Sequence, residues 1–399
     1  MKKLKNTSPI FFYFTVFLGA FCDNLMRISV ILFITYYDAN NFFLNKAQLI
    51  SLASIIFIAP YFLFSGLAGE LADKYQKALI IKYLKFFEIM IVIFFLYSLN
   101  NQNINLIFLS LLFMGFQSCF FGPIKFSYVK EITIGSKLMR ANSYLEIFTF
   151  LGIISGIILG TLFTNNEYFI KLLLAFSILG FMISLFLQNS LIENNSLLIS
   201  KNIFASTFRI LKISQSSIFL KSILVISWFW FFSALLINLI PLISTEFFNT
   251  LELNILISYL LTFVGIIIGA FYSSIYFSKK RSDSSIFISL FIISIISLGL
   301  AFSVGLKIYL LYSVFLLFIS SIAVFIIIPM FFKLQEHSHD INRARVIACN
   351  NVFNSFFIIL SGVFTIIIFS FFEKSNYILY VFSLINLLYL YFLIKLYEK

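Results

Sequence analysis

Residues 19–37 read GAFCDNLMRISVILFITYY, the greater part of an apolar run that begins near Ile10 and ends at Tyr37. About 20 mostly apolar residues span a bilayer core as a helix, so this run is long enough to cross. Yet Asp23, Asn24 and Arg27 stand near its middle, where a charge costs about 2.5–3.5 kcal/mol on insertion scales. Composition places the run in its setting. Of 399 residues, 61% are hydrophobic and 11% charged, with a mean hydropathy of +1.04, against roughly 45–50% apolar content in soluble domains. The chain reads as an all-α integral membrane protein.

The first run exceeds the apolar core of a signal peptide, about 7–15 residues, and no small-x-small cleavage site follows it. It is expected to persist as helix 1. Working outward, twelve membrane-length segments fall near 10–37, 48–71, 80–99, 104–127, 139–163, 167–188, 217–243, 254–277, 285–306, 308–332, 346–371 and 376–397. Most of the 28 Lys and Arg lie in alternate connections, among them Lys74, Lys77, Lys82, Lys85, Lys130, Lys279 and Arg345. The other side holds only Lys46, Lys171, Lys307 and Lys374. Since short cytoplasmic loops carry the positive excess, both termini are expected in the cytoplasm.

The net charge of +12 reads as surface matched to an anionic inner leaflet; no basic block with interleaved aromatics points to nucleic acid. Cys22, Cys119 and Cys349 fall in or beside the apolar segments and read as small packed side chains without disulfides. His337 and His339, with Asp340, are too few ligands for a metal site, and no cofactor is expected. Residues 189–216, the longest internal polar stretch, divide the chain into six-helix bundles at 1–188 and 217–399 with a cytoplasmic connector between them. In transporters so built, substrate sites lie near the midplane at the junction of the halves.

Asp23 and Arg27, four residues apart, share a helix face and can neutralise each other. That is one reading; the other is a charge facing a cavity. Helix 4 contains MGFQSCFFGPIKFSYVKE, residues 114–131, with Gln117, an expected interruption at Gly122 and Pro123, and Lys125 directly after it. Helix 5 carries Glu146, which reads either as a cavity carboxylate or as a salt-bridge partner of Lys125 or Arg140. Its Gly152, Gly156 and Gly160 are spaced for close helix contact.

Between helices 2 and 3, GLAGELADKYQKALIIKYLKFFEI at 66–89 holds Gly69, Asp73, Lys74 and Lys77 in a G-x-x-x-D-K-x-x-K pattern. This resembles the loop signature of the major facilitator superfamily. GAFCDNLMR, APYFLFSGLAGELADKYQKALIIKYLKFFEI, MGFQSCFFGPIKFSYV, RANSYLEIFTFLGIISGIILG, SWFWFFSALLINLIPL and NRARVIACNNVFNSFF together resemble the bacterial lysophospholipid transporters of that superfamily. Ser143 departs from the glycine expected after Asn142, and the C-terminal loop keeps Lys279, Lys280 and Arg281 without the aspartate.

The resemblance implies transfer of lysophosphatidylethanolamine or lysophosphatidylglycerol from the outer to the inner leaflet of a bacterial inner membrane. The fused acyltransferase and acyl-carrier-protein ligase domains of some relatives are not expected here, and reacylation is expected from a separate protein. Arg27 and Lys125 suit a phosphate; Asp23 and Glu146 suit an ammonium, with Asn24 beside them. Gly69, Asp73, Lys74 and Lys77 would form a cytoplasmic gate. Further cavity-lining candidates are Gln117, Asn238, Asn350, Asn351 and Asn354, the C-terminal half being poor in charge and rich in Phe, Ile and Leu. A second hypothesis is a proton-coupled antiporter or importer of a small solute or drug, with Asp23 and Glu146 titrating. An acyltransferase is disfavoured, because HSHD lacks the spacing of a histidine base with its carboxylate partner.

Overall fold

The computed structural model describes residues 9–36, 44–133, 138–162, 167–188, 206–207, 211–212, 217–248, 252–279, 284–336 and 343–398. Among the described residues twelve long helices appear in the expected order: α1 (Ile10–Tyr36), α2 (Lys46–Lys74), α3 (Lys77–Asn100), α4 (Ile104–Ile132), α5 (Leu138–Leu162), α6 (Glu167–Leu185), α7 (Ser217–Phe248), α8 (Glu252–Lys279), α9 (Ser284–Gly305), α10 (Tyr309–Glu336), α11 (Arg343–Phe371) and α12 (Asn376–Glu398). Among the described residues ten of them are long and apolar enough to cross a membrane, α3 and α6 being outside that set. Their apolar faces point outward as well as inward. On α9, for instance, Ile288, Phe291, Ile295, Leu298 and Phe302 are exposed at helical spacing, as expected of a helix whose solvent is lipid.

α4 runs unbroken through Gly122 and Pro123, which corrects the expected interruption. Pro60, Pro241 and Pro329 likewise lie inside α2, α7 and α10. In lipid the backbone finds no alternative partners, so losing one proline hydrogen bond does not release the bonds on either side.

The chain divides into two compact units, one of Met1–Phe33 with Ile56–Ile210 and one of Ile34–Ile55 with Leu211–Lys399. Their internal packing follows one plan. In the first unit α3 packs on α4 and α6; in the second, α9 packs on α10 and α12. The α3–α4 and α9–α10 turns are also alike. Gln102 and Lys307 take left-handed backbone, φ 50° and 60°. Asn103 N–H bonds Ser98 O as Ile308 N–H bonds Ser303 O, both at 3.1 Å, the Schellman closure of a helix C-terminus. The tip of the α1–α2 hairpin belongs to the second unit, where Gln48 Nε2 donates to Ile366 O (3.2 Å) and to Ser370 Oγ (3.1 Å).

Glycines bring helices into backbone contact. A Cβ on Gly115 of α4 would lie 2.0 Å from Phe57 O of α2, and one on Gly269 of α8 would lie 2.0 Å from Ser321 O of α10. On α5, a Cβ at Gly152 or Gly156 would meet Phe17 O or Phe21 O of α1 within 2.5 Å, and one at Gly160 would meet Ile28 Cγ2 at 2.1 Å. The four-residue glycine spacing thus seats α5 directly on α1.

Candidate functional site

The first unit contains an ionic network that runs across α3, α4 and α1. Lys85 and Glu88, three residues apart on α3, are fully buried, with Lys85 Nζ 2.9 Å from Oε1 and 2.7 Å from Oε2 of Glu88. Room for the ammonium comes from glycines on two neighbouring helices. A Cβ on Gly19 of α1 would sit 3.1 Å from Lys85 Nζ, and one on Gly180 of α6 would sit 3.4 Å from it. The Phe121 ring centroid lies 5.8 Å from the same ammonium. A buried pair of this kind needs its remaining lone pairs satisfied, and Gln117 of α4 supplies one donor, Nε2 to Glu88 Oε2 at 3.1 Å. The Cys22 thiol of α1 lies close to Glu88.

From Gln117 the network continues to α1. Ser118 Oγ lies 3.0 Å from Gln117 Oε1 and 2.5 Å from Asp23 Oδ2. Asp23 Oδ1 has no hydrogen-bond partner among the described residues. Asp23 therefore meets α4 sideways. One turn along α1, the Arg27 guanidinium stands 6.0 Å from the Phe57 ring centroid, and Asn24 Nδ2 bonds back to Ala20 O at 2.8 Å. Lys125 Nζ donates to Thr149 Oγ1 of α5 at 3.2 Å and is within electrostatic reach of Asp23 and Glu146. Glu146 itself is exposed.

Asp23, Gln117 and Lys125, all read from the sequence, thus share one neighbourhood. Lys85, Glu88, Cys22 and Ser118 complete it, and none of the four is a site candidate from the sequence. Lys85 in particular was grouped with the loop cations, whereas it is a core residue. Its signal was Glu88 three positions on, one helical turn away, inside an otherwise apolar run.

The loop pattern lies at the α2–α3 junction. Lys77 Nζ pairs with Glu131 Oε1 of α4 at 2.7 Å, and Lys74 Nζ is 5.6 Å from the Tyr75 ring centroid. A Cβ on Gly69 would meet nothing within 4 Å. The side chains of Asp73, Arg140, Lys279 and Arg345 and the whole of Lys280, Arg281 and His337 to Asp340 lie outside the described residues.

In the second unit amides and aromatic rings take the place of charge. Asn238 of α7 is buried and accepts from Ser54 Oγ at 2.9 Å. Asn350 and Asn354 of α11 are buried. The Asn354 amide is satisfied when it donates to Ser227 Oγ (2.9 Å) and Asn350 O (3.2 Å) and accepts from Asn350 Nδ2 (3.0 Å) and Trp230 Nε1 (3.3 Å). Asn351 is exposed. Trp228 stacks on Tyr389 with ring centroids 3.9 Å apart and donates Nε1–H to Asn386 Oδ1 at 2.6 Å. Beside it lies an apolar pocket lined by Val225, Phe229, Leu290, Ile293 and Ile326.

Apolar helices that pack on a common plan in both units, with a buried ionic network in one of them, define a polytopic membrane transporter. A model of the Major Facilitator Superfamily matches residues 16–362, and the chain belongs to that superfamily. Among solved structures it is similar to the nucleoside transporter NupG (D323A mutant), with a TM-score of 0.68 and 14% identity over 97% of this chain and 99% of that one. It is also similar to the human organic anion transporter MFSD10 (TETRAN), with a TM-score of 0.68 and 13% identity over 97% and 100%. Such identities speak for the fold alone. Among curated proteins it is similar to the lysophospholipid transporter LplT of Escherichia coli (strain SE11) and of Shigella boydii serotype 18 (strain CDC 3083-94 / BS512). Each is 24% identical over 144 residues, 36% of this chain. The match spans about a third, 33%, of the length of those relatives.

Proposed function

We propose that the chain is a lysophospholipid transporter that moves lysophosphatidylethanolamine or lysophosphatidylglycerol from the outer to the inner leaflet of a bacterial inner membrane by alternating access. The six-helix halves 1–188 and 217–399 are its moving parts, and both termini are cytoplasmic. The observation that carries this reading is the charge set of the first unit, where Arg27, Lys125, Asp23 and Glu146 lie on α1, α4 and α5. An amphiphile with a phosphate and an ammonium asks for that combination of cations and carboxylates, whereas a neutral sugar does not. The charge-poor helices of the second unit, rich in Phe, Ile and Leu, suit an acyl chain in the same way. The named relatives support the lipid substrate. Gly69, Asp73, Lys74 and Lys77 form the cytoplasmic gate in this reading, and a separate acyltransferase/acyl-carrier-protein ligase consumes the delivered lipid.

Uptake of radiolabelled lysophosphatidylethanolamine into spheroplasts lacking their own transporter tests the proposal. The chain should support uptake in the presence of a protonophore, and Arg27→Ala and Lys125→Ala should each lower it at least tenfold at equal protein level. No uptake above empty vector, with the protein present in the membrane, overturns it and favours the proton-coupled carrier of a small solute.

A further inference from the structure

Counting hydrogen-bond donors along the network gives a protonation state. Gln117 is fixed in orientation, because its Nε2 donates to Glu88 Oε2 and to Leu84 O (3.4 Å). Turning the amide over would set its oxygen against the Glu88 carboxylate. Its Oε1 therefore faces Ser118 Oγ as an acceptor, at 3.0 Å. On its other side Ser118 Oγ meets Asp23 Oδ2 at 2.5 Å, at the short end of the O–H···O hydrogen-bond range. A serine hydroxyl has a single proton, so Ser118 cannot donate to both oxygens. Tyr61 of α2 comes within reach of Ser118, but a phenol donating to Ser118 leaves that shortage unchanged. The two short contacts are satisfied together when Asp23 carries a proton, donates it to Ser118, and Ser118 donates to Gln117.

We propose that Asp23 is a proton-binding site whose proton is displaced by the cationic group of the transported headgroup. The charged and titratable groups around it are Cys22 and Arg27 on its own helix, Tyr61 on α2, Lys85 and Glu88 on α3, and Lys125 on α4 with Glu146 of α5 behind it. Lys85 and Glu88 neutralise each other. Arg27 and Lys125 are the cations that would meet the single negative charge of a phosphodiester. Lysophosphatidylglycerol brings only that charge and leaves the proton in place. Lysophosphatidylethanolamine also brings an ammonium, whose N–H groups take over the donor role at Asp23. The carboxyl O–H bond then breaks, and one proton passes to bulk water for each lipid bound.

This inference rests on the lysophospholipid reading for its ligand, but the proton site itself does not. Infrared difference spectra of the purified protein in lipid vesicles at neutral pH test the two separately. Wild type should show the carbonyl band of a protonated carboxyl that is missing in Asp23→Asn, whose amide supplies the same donor to Ser118 and should keep the fold. Ser118→Ala, which removes the acceptor, should shift the band without abolishing it. Bound lysophosphatidylethanolamine should bleach the band and release one proton, while lysophosphatidylglycerol should do neither. Absence of any band sensitive to Asp23→Asn or Ser118→Ala overturns the proton site. A band that persists under saturating bound lysophosphatidylethanolamine overturns the displacement. A band present with neither lipid binding leaves the proton site standing and removes the lipid reading.

Discussion

Lys85 and Glu88 set the strongest constraint at the scale of single residues. Both are fully buried and hold each other at 2.7 Å; removing one strands the other as an uncompensated charge, at about 3–5 kcal/mol. Lys85→Met should lower the melting temperature in detergent sharply, and Glu88→Gln should do so less, since the amide still accepts from Lys85. Lys85→Met with Glu88→Met should recover most of the loss, because a buried pair replaced by apolar side chains is often neutral. A double variant as unstable as Lys85→Met alone would show that the pair holds the helices together by more than mutual neutralisation. This pair was hidden in the sequence by its address. Lysines near a helix start are normally loop cations under the positive-inside rule, and only packing by Gly19 and Gly180 makes a slot deep enough for one. Asp23 was legible because a carboxylate in mid-helix has no such ordinary explanation. Its partner Ser118 was not, since serines occur throughout these helices and mostly bond their own backbone, as Ser29 does to Leu25 O at 2.7 Å.

At the scale of elements, the twelve helices were readable because apolar length alone identifies a membrane helix, and the polar breaks between the runs mark the turns. What apolar length does not report is which helices touch. Gly115 and Gly122 look alike in sequence, seven residues apart on α4, yet a Cβ on Gly115 would stand 2.0 Å from the Phe57 carbonyl oxygen while one on Gly122 meets nothing within 4 Å. Gly115→Ala must push α2 and α4 apart and should cost about 1–3 kcal/mol or more. Gly122→Ala should be close to neutral, within about 0.5 kcal/mol. Thermal unfolding of the two variants in the same detergent distinguishes them, and equal losses would contradict the contact. The expected break at Pro123 failed for a related reason. A proline signals a helix end in water, where freed carbonyls are hydrated, but in lipid the surrounding hydrogen bonds keep α4 continuous.

At the scale of the whole molecule, charge is distributed unevenly between two units that pack on one plan. α3 of the first unit holds an ion pair in its interior; α9, its counterpart, offers Leu290 O and Ser294 Oγ to the Asn386 amide, each at 2.8 Å. Repetition fixed the fold, and the polar substitutions that distinguish the units are where transport chemistry is proposed to reside. A consequence follows for the direction of proton movement. If lysophosphatidylethanolamine binding from the outer side expels the Asp23 proton, external acid opposes that step, whereas lysophosphatidylglycerol binding is indifferent to it. Initial uptake of the ethanolamine lipid into spheroplasts should therefore fall several-fold as external pH is lowered from about 8 to about 5.5, and uptake of the glycerol lipid should stay level. Asp23→Asn, permanently supplied with a donor, should remove the pH dependence along with most uptake of the ethanolamine lipid and spare the glycerol lipid. Equal acid sensitivity for both lipids would assign the effect to a group other than Asp23. Asp73→Asn in the loop pattern should instead impair both lipids alike at normal protein level, because a gate acts on the conformational step that every substrate shares.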